Sequence, residues 1–134
     1  MPSIWTTRVD PRTRLVAVPV TIEGPLGRSQ ITRLALDTGS PYTILNTALA
    51  RTLDLDENRS EGPSNLLAPT GPQDGYKVRA KSVEVMGRSL LDVRIRCHVL
   101  EEGLEIDGVI GLDVIRQGDL LVSLPRGRVE FRWA

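Results

Sequence analysis

The sequence holds a single cysteine, Cys97, so it admits no internal disulfide and suits a reducing compartment. Aromatic residues make up only 4% of its 134 residues. A core must therefore be built from Val, Leu, Ile and Ala, and a chain of this length can bury one without covalent staples. Neither sign of charge is in excess, with 17 Lys+Arg against 17 Asp+Glu, and the arginines are scattered. Nothing global then favours a nucleic acid or an anionic membrane as partner. No apolar run is long enough to span a bilayer, and none of signal-peptide length follows Met1. A cytoplasmic protein with no membrane association is the expectation. No metal-ligand spacing occurs, so neither metal nor cofactor is expected. "GPQDGYK" lacks the spacing and the Ser/Thr of a phosphate loop.

What the chain does have is a period of two. "RLVAVPVTIEG" (residues 14–24) alternates Leu15, Ala17 and Pro19 against Val16, Val18, Val20 and Ile22, and reads as a strand. "GPLG" supplies a turn, and "RSQITRLAL" returns as the second strand of a hairpin. "YTIL" is strand-like. "NTALARTL" reads as a short helix capped by Asn46 or Thr47, with Ala48, Leu49 and Leu53 on one side. "EGPSNLLAPTGPQDGYK" is the segment richest in Gly and Pro and reads plainly as a surface loop. "YKVRAKSVEVMG" and "RSLLDVRIRCHVL" are two further strands meeting at Gly87. "LLVSLPRGRVEFRWA" is a closing hairpin turned at Pro125-Arg126-Gly127. About eight strands and two short helices make residues 1–134 a single all-β domain of barrel type.

One stretch needs a chemical explanation. "LALDTGSPYTIL" (residues 34–45) carries an apolar strand up to one carboxylate, Asp37, and turns at once through Thr38, Gly39 and Ser40. The same order of apolar, acidic, glycine and apolar residues recurs faintly in "LEIDGVIGLDVI". Asp37-Thr38-Gly39-Ser40 between apolar flanks resembles the active-site loop of aspartic proteases. "GVIGLDVIRQ", with Val109, Ile110 and Gly111 before a short helix, resembles the second signature of the small retroviral type, the retropepsins. "NLLAPTGPQDGYKVRAKSVEV" sits where their flap hairpin sits. The likeness spans about residues 14–133.

That resemblance implies a small closed acid-protease barrel, half of a two-fold dimeric protease that cleaves a peptide or protein substrate. Asp37 would be the catalytic residue, and Ala68, Pro69, Thr70, Gly71 and Pro72 would form the flap tip over the substrate. Such hydrolysis needs two carboxylates sharing one proton. Two like charges about 4 Å apart repel by roughly 4 kcal/mol at an effective dielectric of 20, or about 3 pKa units, so the second ionisation is pushed up. The aspartic-protease dyad is the standard illustration of that effect. The chain has one Asp-Thr-Gly, so the resemblance implies a homodimer with Asp37 from each copy meeting at the axis. It also implies that Gly39 donates its N–H to the carboxylate and that Thr38 bonds across to the partner loop. Ser40 would donate its hydroxyl to the outer oxygen of Asp37.

Plainer readings exist for each residue. Asp, Gly and Ser favour turns whatever their function. Asp107 before Gly108 is expected to be a strand-end residue and not a second catalytic acid. Asp113 is expected at the positive end of the last helix. Cys97 and His98 are neighbours on a strand and point to opposite faces, one to the core and one to the surface. Trp5, Phe131 and Trp133 suit either edge-strand packing or interface anchors, and the carboxy-terminal strand is expected to pair across the dimer. A rival function is a catalytically weak or inactive dimerisation or peptide-binding module, since Pro69 and Pro72 stiffen the flap.

Overall fold

The computed structural model describes residues 3–68 and 71–134. Its centre is a ring of six strands: β2 (Ala17–Glu23), β3 (Ser29–Leu36), β8 (Gly108–Ile110), β4 (Ile44–Asn46), β7 (Arg88–His98) and β6 (Gly71–Val85). Pairing of β2 with β6 closes the ring into a barrel. Alternation drives the closure: Val18, Val20 and Ile22 of β2 all point inward and are fully buried, as are Leu34, Leu45, Val78 and Ile95. Pro19 is tolerated because β6 pairs with β2 only from Val20 onward, so the absent N–H falls where β2 has one partner.

The Gly/Pro-rich segment read as a loop is a hairpin. β5 (Pro63–Ala68) pairs antiparallel with the first half of β6, which runs on for 15 residues into the barrel wall. Pro69 and Thr70, expected at the flap tip, lie outside the described residues, while Ala68 and Gly71 pair as backbone partners. The β6–β7 turn puts both Met86 (φ 48°) and Gly87 (φ 80°) at positive φ, as a two-residue hairpin loop requires. Met86 accepts that angle with its side chain buried.

Among the described residues ten strands form where about eight were read: β5 lies in the segment read as a loop, and the three-residue β8 is too short for a period to register. Helix α1 (Thr47–Thr52) follows Asn46, which makes no side-chain cap bond, and α2 (Leu112–Ile115) is a single turn. Ala50 and Leu53 form the buried side of α1 with Thr47, whereas Ala48 is exposed. No described helix is long and apolar enough to cross a membrane.

The terminal strands depart from expectation. β1 (Ile4–Arg8), β10 (Arg128–Trp133) and β9 (Gly118–Ser123) make a separate three-stranded sheet in which β10 is the middle strand. β10 therefore pairs with the amino-terminal strand of its own chain and does not wait for a partner's. Val129, Phe131 and Trp133 share one face, as their spacing predicts, and that face is buried in the chain's own core. The Phe131 and Trp133 rings meet edge to face at 4.8 Å, and Trp133 Nε1 donates to the Met86 carbonyl at 2.8 Å. Phe131 and Trp133 are thus core residues and not interface anchors, and Trp5 packs half-buried against the same core.

Candidate active site

β3 and β8 run parallel with Leu34, Ala35 and Leu36 opposite Gly108, Val109 and Ile110. Register therefore brings the ends of these strands to the same level. Asp37 leaves β3 beside Gly111, and its N–H donates to the Ile110 carbonyl at 3.0 Å. The turn then folds back tightly: Gly39 N–H donates to Asp37 Oδ1 at 2.9 Å and Ser40 N–H to the Asp37 carbonyl at 3.2 Å. Gly39 thus holds the carboxylate as expected. Asp37 is half-buried, Thr38 and Gly39 are exposed, and Ser40 is buried. Ser40 does not orient Asp37. Its hydroxyl donates instead to the Tyr42 carbonyl at 2.7 Å, because the turn directs the side chain inward toward the following segment.

The second signature is knotted to this loop. Leu112 N–H donates to the Ser40 carbonyl at 2.8 Å, and Asp113 N–H to that of Pro41 at 3.3 Å. Gly111 permits this approach: a Cβ there would lie 2.4 Å from the Tyr42 carbonyl. Thr43 is the central tie. Its hydroxyl donates to Asp113 Oδ1 at 2.8 Å and accepts from Gly111 N–H at 3.3 Å, while its own N–H donates to Asp113 Oδ2 at 3.0 Å. Asp113 also accepts from Val114 N–H at the start of α2, so it serves the helix end and the loop together. Sequence reading missed Thr43, although its place six residues after Asp37 and its hydroxyl were both visible.

Asp107 has a structural role. One carboxylate oxygen accepts from Arg33 N–H at 2.8 Å, and its backbone pairs with Arg33 and Asn46. Level with Arg33, it lies four residues from Asp37 along the strand direction, about 13 Å at ~3.3 Å per residue. It cannot share a proton with Asp37. Among the described residues no cluster of His, Cys, Asp or Glu is placed to hold a metal.

Cys97 and His98 do face opposite sides of β7, yet both are buried. Cys97 lies in the barrel core, and burial pushes its thiol up to about 12, which leaves it inert near neutral pH. His98 lies in a row with Gly75 of β6 and Ser64 of β5. A Cβ at Gly75 would stand 2.6 Å from the imidazole, so the missing side chain makes room for the ring, and His98 Nε2 meets Ser64 Oγ at 2.9 Å. This pair anchors the root of the β5–β6 hairpin. Burial, and then the neighbouring Arg96, hold the imidazole below its ordinary value.

Residues 18–114 match the family model described as aspartyl protease. The chain belongs to the aspartyl protease family. No curated protein sequence matches it significantly. Its fold is retropepsin-like. A retropepsin-like aspartic protease from Rickettsia conorii superimposes with a TM-score of 0.71 at 12% identity, covering 96% of this chain and 98% of that one. EIAV protease complexed with the inhibitor HBY-793 gives 0.60 at 16% identity over 78% and 88%. The retroviral protease-like domain of Ddi1 from Leishmania major gives 0.56 at 18% identity, covering 85% of each chain.

Thr43→Val keeps the shape and removes the hydroxyl, leaving a buried amide and a carboxylate oxygen short of partners. It should cost about 1–3 kcal/mol in denaturant unfolding; unchanged stability would show that the tie is dispensable. For His98, the unfolded chain titrates near 6.5 and the folded chain lower, so below that value the unfolded state binds more protons. Stability contributed by the neutral ring is complete above the unfolded value and is lost as pH falls below it. Between about pH 8 and about pH 5, the wild type should lose more stability than His98→Gln. Equal losses would remove His98 from the linkage.

Proposed function

We propose that the chain is a retropepsin-like aspartic endopeptidase that acts as a homodimer, with one Asp37 from each subunit forming the catalytic pair. The observation that carries this reading is the Asp37 turn itself. It is a single half-buried carboxylate, presented at a strand end, fixed by Gly39 and tied to the second signature through Thr43 and Asp113. One such carboxylate is half of the chemistry, and Asp107 lies too far away to supply the other half. A two-fold partner completes it without any further residue type.

In the proposed reaction the ionised member of the pair takes a proton from water as the oxygen attacks the peptide carbonyl carbon. The protonated member gives its proton to the carbonyl oxygen. As the diol collapses, the newly protonated member gives its proton to the amine nitrogen, the C–N bond breaks, and the ionised member takes a proton from a diol hydroxyl, so the pair again holds one shared proton. Exposed Thr38 is available to bond across the axis. The hairpin of β5 and β6, with Ala68 and Gly71 at the described ends and Pro72 behind them, is the proposed flap over an extended peptide held by strand-like hydrogen bonds.

Asp37→Asn keeps the shape of the side chain but cannot share the proton. It should abolish cleavage of a mixed peptide library while leaving fold and oligomeric state intact. Undiminished cleavage by a clean preparation of the variant would end the aspartic-protease assignment, and absence of cleavage by the wild type would favour a binding module.

A further inference from the structure

Two pairs of cations face each other across β6 and β7, and they are treated differently. Arg79 lies opposite Arg94, and Lys77 lies opposite Arg96, one repeat along on the same face. Like charges directly opposite on a sheet repel. The first pair is neutralised. Glu61 meets Arg79 at 3.0 Å and Arg94 at 3.3 Å, and Asp92 meets Arg79 at 3.5 Å. The second pair has no such relief: among the described residues no carboxylate lies within ion-pair distance of Lys77 or Arg96. Both side chains are half-buried, which makes an unmatched charge more costly than at an exposed position.

Arg96 is also held in place. Its guanidinium stacks 3.4 Å from the Tyr42 ring centroid, and Nη1 reaches Ser64 Oγ at 3.4 Å. Tyr42 belongs to the segment that continues from the Asp37 turn, and Ser64 belongs to the first strand of the hairpin. The guanidinium therefore bridges the two elements between which the proposed substrate would lie. A fixed planar fork with free donors is suited to a carboxylate, which it can bind through two parallel hydrogen bonds.

We infer that Arg96, seconded by Lys77, is a specificity-determining residue that selects peptides carrying an acidic side chain at one position flanking the scissile bond. The inference rests on the protease reading for its geometry but has a readout of its own. Peptides with blocked ends, in pairs that differ only by Glu against Gln at each position in turn, restrict the carboxylate to a side chain. The wild type should cleave the Glu member faster at one position, by about tenfold, the worth of one charge-assisted hydrogen bond. Arg96→Met, which keeps an unbranched apolar stem, should level the pair, and Arg96→Glu should turn the preference toward Lys at that same position. Thermal unfolding of each variant checks that it folds. Cleavage by the wild type without an acidic preference would overturn the inference and leave the protease reading standing, even if neither variant folds. So would the same preference retained in Arg96→Met.

Binding of the same peptides to Asp37→Asn separates the two readings. Should the wild type cleave nothing, Glu-selective binding that disappears in the Asp37→Asn, Arg96→Met double variant would uphold selection by Arg96 and sink the protease assignment. Binding without selectivity would overturn the inference.

Discussion

The parallel register of β3 against β8 is the constraint on which the candidate site depends. It sets Leu36 beside Ile110 and so delivers Asp37 and Gly111 to one level. A slip of one residue would reverse which side chains enter the barrel, and burial of Leu34 and Ile110 forbids it. Everything else at the site builds on this alignment. The Asp37 turn closes on Gly39, Thr43 bonds to Asp113, and Gly111 lets the two segments touch. Precision in the carboxylate thus comes from the barrel core, although the carboxylate itself stands at the surface.

The same logic explains the hairpin. β6 is long enough to belong to the barrel at one end and to the hairpin at the other, so the proposed flap has a rigid root. Gly75 leaves the gap that His98 fills, and Ser64 caps the ring from the neighbouring strand. Near that root the Lys77 and Arg96 pair has no ion-pair partner among the described residues, while its neighbour is neutralised by Glu61 and Asp92. Charge is thus balanced in the barrel wall and left open beside the proposed cleft.

Much of this was legible in the sequence because the signals were local. Alternation in β2 and β10, the turn at Gly87, and the Asp-Thr-Gly-Ser and Val-Ile-Gly motifs each lie within a dozen residues. What failed was non-local. The Gly and Pro content of residues 61–77 suggested a loop, and only the resemblance put a hairpin there; backbone pairing between β5 and β6 outweighs composition. That β10 pairs with β1 in the same chain depends on contact between the two ends of the sequence, which no window contains. Ser40 was given to Asp37 through the resemblance, whereas the turn aims its hydroxyl at Tyr42. One of Cys97 and His98 was expected at the surface by the period-two rule, which assigns opposite faces correctly but cannot tell that the second face is covered too.

The central claim is that two chains share one pair of carboxylates. It is tested most directly by refolding the wild type with Asp37→Asn in varied proportions and measuring cleavage per total protein. If each subunit supplies one Asp37, activity should fall as the square of the wild-type fraction, since only wild-type pairs are complete. Activity that falls in direct proportion to the wild-type fraction would mean that each chain carries a whole site, and would contradict the account.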